Sequence, residues 1–266
     1  MVNVYLKNLR KSWFVGLIGP AVVMMFVGLI GFGFPMMKDI ILERLEQMQN
    51  PIMTAILGDL GLQGLGFTFE AAMFMYAGGT LNILVLFISL FIPARLLSTE
   101  VDKKTIDVML SFPIPRWRYL AEKFAVYLTY NILLPIVMVA TMISSSIVAG
   151  ETISVTLVVN YSIGIWLQLF ALGAISLLCG AIFLDSSKAL AAAGVIIFGQ
   201  YALDSIGGLL DASGTLQYFS LFHYMRIDSI LNTGSLPLGE VLIVLSVGIA
   251  ALISALTVFH KREFAI

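Results

Sequence analysis

The chain has 266 residues, of which 59% are hydrophobic and 12% are charged, and its net charge is −1. Soluble domains average about 45–50% apolar and about 25% charged residues, so this composition excludes an ordinary soluble domain. The near-zero net charge gives no indication of nucleic-acid binding, and no nucleic-acid partner is expected. A single cysteine, Cys179, excludes a disulfide framework within the chain.

Long charge-free runs are the main feature of the sequence. Five of them, at 12–37, 71–94, 124–150, 152–184 and 241–260, are each long enough for a transmembrane helix, because about 20 apolar residues cross a hydrocarbon core of about 30 Å. A sixth charge-free run, 189–203, is followed by Asp204 and then by further apolar residues. It is long enough for a transmembrane helix if Asp204 lies at the outer interface. The sequence therefore predicts an all-α membrane protein whose residues 1–266 form a single transmembrane domain. Its six spans are expected at about 13–35, 73–97, 124–149, 158–184, 189–208 and 239–259.

The basic residues predict the orientation. Twelve of the 15 Lys and Arg residues lie on one side of such a bundle: three in 1–12, six in 95–123, one in 185–188 and two in 260–266. The opposite side has Lys38, Arg44 and Arg226. By the positive-inside rule, we expect a multi-pass protein of the cell membrane with both termini cytoplasmic.

Two amphipathic segments flank the first span. Residues 2–11 predict a short helix in the cytoplasmic interface, and the alternative is a frayed basic terminus that only sets the topology. The outer loop 36–72 contains apolar residues at helical spacing, which predict a helix on the outer surface that covers the bundle or gates a pathway. These residues are Ile41, Leu45, Met48 and Ile52.

Polar residues within the spans are few and mostly neutral. A proton- or sodium-driven carrier normally keeps ionisable residues at membrane depth, and here only Asp204 is a candidate. Neutral polar residues either line a pathway or join helices by hydrogen bonds. The candidate pathway residues are Asn131, Ser144, Gln168 and Gln200. Within the third span, Pro135 leaves the carbonyl of Asn131 without its helical donor and predicts a kink.

No motif of the sequence indicates catalysis or metal binding. The two histidines, His223 and His260, are far apart in the sequence and lack the spacing of metal ligands. A phosphate-binding G-x-x-x-x-G-K-[ST] motif and a G-x-S-x-G motif are absent. We therefore expect no catalytic or metal-binding residues, and no cofactor bound by this chain.

Charge is dense only in residues 96–124, which hold nine of the 31 charged residues. Span two is expected to end near Leu97, and Thr99 is a candidate N-cap of a cytoplasmic helix. This helix would carry an apolar edge, and Pro113 and Pro115 would end it. Such an edge either docks against a partner or lies on the bilayer surface. The edge consists of Ile106, Met109, Leu110 and Pro113.

The same stretch resembles a known family. It reads E-x-x-x-x-T-x-x-x-x-L-S-x-P-I-P-R, followed by Lys123 at the next span. This pattern is similar to the segment after the second span in ABC-2 type transporter permeases, the membrane subunits of type V exporter-like ABC transporters. The six-span layout with cytoplasmic ends is similar as well. Lys104 departs from the family, in which many members have glycine at that position.

The resemblance implies a function. The segment 98–123 would contain a coupling helix that docks into a separate ATPase subunit, and that subunit would hold ATP and Mg²⁺. The chain would then be the permease of an ATP-driven exporter, not itself an enzyme, assembled as two permease copies with two ATPase subunits in the lipid bilayer. A stand-alone channel or secondary carrier is the alternative. The partner-binding residues implied by the resemblance and by the apolar edge are Thr99, Glu100, Lys103, Thr105, Ile106, Met109, Leu110, Pro113 and Arg116.

The predicted topology is testable by cysteine labelling in intact cells, after Cys179 is replaced by alanine. A cysteine at Gln63 is expected to react with a membrane-impermeant maleimide from outside. A cysteine at Lys104 is expected to react only after the cells are permeabilised, because the positive-inside rule places it in the cytoplasm. The reverse pattern of labelling would contradict the six-span arrangement.

Overall fold

The described part of the chain is helical. The computed structural model describes residues 4–47, 69–102, 115–183, 185–210, 215–226, 229–230 and 233–261, and these contain helices and no strands. The long helices are α1 (Val4–Gln47), α2 (Phe69–Asp102), α3 (Arg116–Asn131), α4 (Leu133–Ala149), α5 (Val155–Phe183), α6 (Ser186–Leu210) and α8 (Leu238–Lys261). Between α6 and α8 lie a 3-10 helix (Thr215–Phe219) and the one-turn helix α7 (Leu221–Tyr224).

Helix α1 is continuous over 44 residues. At 1.5 Å per residue it is about 66 Å long, roughly twice the thickness of a hydrocarbon core. The prediction of a separate interfacial helix at residues 2–11 is therefore wrong for residues 4–11, because these residues continue directly into the helix of the first span. No proline interrupts this part of the chain, and the first one, Pro20, lies inside the helix.

The other end of α1 also extends beyond its span. The sequence predicts a helix on the outer surface from Ile41, Leu45, Met48 and Ile52. In the described residues, this helix is the last part of α1, which ends at Gln47. Met48 and Ile52 lie outside the described residues.

Helix α2 extends further than the sequence predicts. It runs without interruption from Phe69 to Asp102, beyond the end expected near Leu97. Thr99 therefore lies inside a helix and does not act as the N-cap of a new one, since an N-cap residue has a non-helical backbone. The part of the connection at residues 103–114 lies outside the described residues.

The third predicted span is interrupted at the place that Pro135 indicates. Helix α3 ends at Asn131 and α4 begins at Leu133. The intervening Ile132 keeps helical dihedral angles (φ −68°, ψ −23°), and its N–H donates to the carbonyl of Leu128 at 3.1 Å. The helix is therefore interrupted locally, because proline has no N–H for the Asn131 carbonyl. The kink itself stays a prediction.

Helix α5 lies at the centre of the bundle, and small residues allow its neighbours to come close. Ser176 Oγ donates to the carbonyl of Leu90 on α2 at 2.9 Å. One turn later, the Cβ position of Gly180 would lie only 2.8 Å from the carbonyl oxygen of Ala94. Two turns before Gly180, the ring of Tyr127 on α3 covers Gly173. These contacts agree with the role of small residues in packing between membrane helices.

Helices α2 and α5 run in the same direction. Phe74 packs on Tyr161 near the starts of both helices, with ring centroids 6.2 Å apart. The contacts of Ser176 and Gly180 described above lie near the ends of both helices. The two helices therefore remain in contact over most of their length.

Helix α1 runs in the same direction as α3 and α4. The Tyr130 hydroxyl donates to the carbonyl of Leu9 near the start of α1. Beyond the end of α4, Lys38 Nζ forms a 2.6 Å ion pair with Glu151. We call the end of the bundle with Val4, Asp102, Arg116 and Lys261 the terminal side, and the opposite end the loop side.

Four helical segments in the described residues are long and apolar enough to cross a membrane, judged by length and composition. They are Gly16–Met36, Arg116–Ala149, Val155–Phe183 and Leu238–Lys261, and Asn82–Leu96 is a shorter apolar segment within α2. The second of these contains both α3 and α4. The chain is thus a multi-pass, all-helical membrane protein.

The close contact at Gly180 gives a prediction. We expect Gly180→Ala to lower the free energy of unfolding by about 1–3 kcal/mol, because the added methyl group overpacks against the Ala94 carbonyl. Gly194→Ala on α6 is the matched control, since a Cβ there meets no atom within 4 Å. The measurement is thermal unfolding of both variants in the same detergent. Equal stability of the two variants would contradict close packing of α2 on α5.

Candidate functional site

The terminal side brings the end of α2 and the start of α3 together through a buried lysine. Lys123 is 6% exposed, and its Nζ donates to the carbonyl of Leu96 at 2.7 Å. The same Nζ lies 5.0 Å from the centroid of the Tyr119 ring. A buried ammonium is costly unless it has such partners, so these contacts compensate for its lost hydration. Lys123 thereby joins the two helices that flank the connection 103–114.

A carboxylate on α3 holds the start of α1. Glu122 accepts a hydrogen bond from the Tyr5 amide at 3.2 Å and pairs with Arg118 Nε at 2.9 Å. The first four amides of a helix have no partner within it, and a negative charge is favourable at that end. Glu122 therefore acts as a tertiary cap of α1. The Tyr5 hydroxyl adds a 3.0 Å contact with Thr129 Oγ1.

These residues form the junction, which we define as Tyr5, Leu96, Arg118, Glu122 and Lys123. The sequence analysis missed the roles of Tyr5 and Glu122, since their contact joins residues 117 positions apart. The sequence did single out Lys123, because it is the last charged residue before a long apolar run and part of the stretch that resembles ABC-2 permeases.

The predicted partner-binding residues lie mostly beyond what the structure describes. Arg116 is the first residue of α3 and is half-buried. Thr99 and Glu100 belong to the last turn of α2, and their side chains are outside the described part of the chain. The apolar docking edge stays a prediction. The remaining members of the set, all outside the described residues, are Lys103, Thr105, Ile106, Met109, Leu110 and Pro113.

The four candidate pathway residues lie on four different helices. Asn131 is 5% exposed and lines a cavity between α1, α2 and α3. Ser144 is exposed on α4, and its hydroxyl donates to the Thr141 carbonyl at 3.1 Å. Gln168 is buried in α5, where neither amide atom has a hydrogen-bond partner among the described residues. Gln200 on α6 accepts from the Leu221 amide at 3.2 Å. The pathway role of the four residues stays a prediction.

An ionisable cluster lies on the loop side. Asp204 Oδ1 is 3.4 Å from Arg226 Nε and 3.8 Å from His223 Nδ1. Burial lowers the pKa of His223 below its usual value of 6.5; the Asp204 carboxylate opposes this shift and the Arg226 charge adds to it. The imidazole is therefore neutral at pH 7, and Arg226 supplies the positive charge that compensates Asp204. The sequence analysis identified Asp204 but neither of its partners.

A further loop-side contact joins the starts of α2 and α5. Glu70 accepts a hydrogen bond from the Ser154 amide at 3.0 Å. In the part of the chain that the structure describes, no group of three or more His, Cys, Asp and Glu residues could hold a metal ion.

The tertiary cap at Glu122 can be tested by hydrogen exchange in detergent. We expect Glu122→Ala to speed exchange of the amides at the start of α1 by roughly fivefold, since losing a helix cap costs about 1 kcal/mol. Tyr5→Phe is the control, because it removes only the hydroxyl contact with Thr129. The melting temperature of the bundle is expected to change little. Unchanged exchange in Glu122→Ala would show that this carboxylate does not hold α1.

Comparisons with known proteins agree with a membrane location. The chain is 28% identical over 199 residues to the "Uncharacterized membrane protein YdbK" of Bacillus subtilis (strain 168), an alignment that covers 69% of this chain and 79% of that protein. No family model matches the chain, and no solved structure matches it. The similarity and the four apolar helical segments together describe a multi-pass membrane protein.

Proposed function

We propose that the chain is the permease subunit of an ATP-driven ABC transporter, coupled through residues 98–123 to a separate ATPase subunit. The observation that carries this proposal is the junction. Lys123 joins α2 to α3 at the terminal side through its hydrogen bond to Leu96. The described residues on either side of 103–114 are therefore held together on that side, as expected if the segment between them docks with a partner.

The junction also suits the transmission of movement. Glu122 and Lys123 are consecutive residues on α3, and they contact α1 and α2 respectively. A force applied to the connection would therefore act on three helices together. The buried, charge-assisted contact at Lys123 is stronger than an exposed ion pair, which favours rigid coupling.

Packing supports six spans. Helix α2 runs parallel to α5 and remains in contact with it from Phe74 to Ala94. Since α5 is long enough to span, we expect α2 to cross the same thickness. Helix α6 packs on α2, where the rings of Phe87 and Phe198 lie 6.2 Å apart, and it ends near the loop-side cluster at Asp204. With α1, α3–α4, α5 and α8, these helices make six.

The partners and the energy source follow from the resemblance to ABC-2 type permeases. ATP and Mg²⁺ would bind to the ATPase subunit, in which the phosphoryl chemistry takes place. Two permease copies and two ATPase subunits would form an exporter in the cell membrane, with the terminal side in the cytoplasm. The distribution of basic residues supports this orientation.

A secondary carrier is the second candidate, and Asp204 is the observation that favours it. A carboxylate near membrane depth, with a histidine and an arginine beside it, is the kind of group that proton-coupled carriers use. The 3.4 Å contact with Arg226 instead suggests a structural ion pair that allows α6 to end at the interface.

The docking edge gives the test of the proposed function. We expect Met109→Ala with Leu110→Ala to weaken binding of the ATPase subunit by at least about tenfold, because truncating buried apolar side chains at the centre of an interface costs more than 1.4 kcal/mol. Lys103→Gln with Lys104→Gln is the matched double variant on the same segment. A milder, salt-dependent loss is expected for it, as for charges at an interface rim. The measurement is pull-down of the ATPase subunit in detergent at matched expression.

One result would contradict the apolar docking edge, and another would contradict the proposed function. Normal binding by the apolar variant together with loss of binding by the lysine variant would show that the contact is electrostatic. Transport that follows the proton gradient, and survives inactivation of the Walker lysine in the ATPase subunit, would identify a secondary carrier.

A further inference from the structure

A short segment on the loop side is held against the end of α6. The segment, which we call the clasp, comprises residues 215–226, with the 3-10 helix and α7. Gln217 Nε2 donates to the backbone carbonyl of Asp204 at 3.3 Å. The Leu221 amide donates to Gln200 Oε1 at 3.2 Å. Both bonds join the clasp to α6, so they break when the clasp moves away from that helix.

One ionisable imidazole lies inside this contact. The side chain of His223 is 22% exposed, and its Nδ1 makes no hydrogen bond among the described residues. Nδ1 lies 3.8 Å from Asp204 Oδ1, and the same oxygen lies 3.4 Å from Arg226 Nε. The ring also makes T-shaped contacts with Tyr218 and Tyr224, at centroid distances of 4.9 and 5.7 Å. One carboxylate oxygen is therefore shared by an arginine and by an imidazole that is mostly withdrawn from water.

The charges that act on this imidazole come from the cluster itself, in the part of the chain that the structure describes. Asp204 and Arg226 are the two charges that affect the pKa of His223. Helix α7 also packs on α5 and α8. Helix α5 has no charged residue, and the titratable residue of α8 at this end, Glu240, does not shift that pKa. Phenols carry no charge between about pH 5 and about pH 8, so the two tyrosines add none.

Burial makes a proton on this imidazole unfavourable while the clasp is closed, and so lowers the pKa of His223 below 6.5. Protonation in place would put an imidazolium next to Arg226, with one carboxylate between them and little water around it. A proton that binds better to the opened, hydrated form shifts the equilibrium towards that form. The closed contact is therefore most stable above pH 6.5, and it weakens as the pH falls from 6.5 to the lower pKa of the closed form.

We propose that the clasp is a pH-sensitive contact, in which protonation of His223 loosens residues 215–226 from the end of α6. With the orientation proposed above, the clasp faces the external medium and responds to its acidity. The same segment carries the exposed side chains of Leu216, Tyr218 and Phe219, so its loosening displaces an apolar surface at the outer boundary of the membrane. This device is independent of the ATPase coupling, because it concerns only the loop side.

Hydrogen exchange of the full-length chain in nanodiscs, between about pH 5 and about pH 7.5, tests the proposal. The Leu221 amide reports on the contact, since it exchanges when its bond to Gln200 opens. After correction for intrinsic exchange rates, we expect its protection factor to fall at least about threefold towards the acidic end. The fall is at most about tenfold per pH unit, because one proton is bound. A constant protection factor would overturn the proposal.

A loop-side amide outside the clasp is the internal reference. The Gly150 amide donates to the Ile147 carbonyl at the end of α4, and its protection factor is expected to stay constant over the same pH range. An equal fall at Gly150 and at Leu221 would show that acid loosens the whole loop side, and would overturn a device specific to the clasp.

Two variants identify the titrating group. His223→Gln keeps a polar, neutral side chain and is expected to remove the acid-induced fall in Leu221 protection. Arg226→Gln removes the neighbouring cation, so a smaller fall than in the unmodified protein is expected. A fall of unchanged size in His223→Gln would show that another group, such as Asp204, titrates, and would overturn the proposal. An equal or larger fall in Arg226→Gln would contradict the sharing of one carboxylate.

The titration can also be followed in the unmodified protein, so the test does not depend on how the variants fold. The chain has two histidines, His223 and His260, and the two imidazole carbon signals of a ¹³C-histidine sample are assigned with His260→Gln. We expect the midpoint of His223 to lie below 6.5. A midpoint at or above 6.5 would overturn the proposal, because protonation would then not favour the open form.

Discussion

The packing of α5 against its neighbours is the contact on which the rest of the bundle depends. Small side chains at Gly173, Ser176 and Gly180 allow α2 and α3 to approach its backbone. On α8, the position of a Cβ at Gly248 would lie 2.6 Å from the Phe170 ring. Lipid chains are as apolar as leucine, so helices in a bilayer associate through such close contacts rather than through a hydrophobic driving force. The positions of the junction and of the cavity follow from the position of α5.

Buried polar groups are the second constraint, and the chain satisfies them in different ways. Lys123 uses a backbone carbonyl and an aromatic ring, and Asp204 uses Arg226. These two groups lie near opposite ends of the bundle, where each fixes the position of a helix end. Asn131 differs from both, because it is a neutral group, buried at the wall of a cavity, and its side chain interacts with the Tyr127 hydroxyl.

The junction connects the described ends of the charged stretch 96–124 to the rest of the bundle. In the sequence, this stretch is a charged segment between two apolar runs. In the structure its described ends are held by Lys123 and Glu122, which connect α3 with α2 and with α1. The helices that line the cavity are therefore also the helices that meet at the junction. Movement of the connection would change the distances between α1, α2 and α3, and hence the shape of the cavity.

The sequence by itself determined the class of protein, the approximate positions of the apolar helices and the break near Pro135. These depend on local properties: the length of a charge-free run, and the missing N–H of a proline. Local patterns gave wrong boundaries for residues 4–11 and for the end of α2, because amphipathic spacing does not show whether a helix bends at the membrane surface. Only the tertiary structure decided that α1 and α2 continue as single helices, that Glu122 caps α1, and that Asn131 lies at the wall of a cavity. Each of these features depends on contacts between residues far apart in the sequence, such as Tyr5 with Glu122, and no local pattern encodes such a contact.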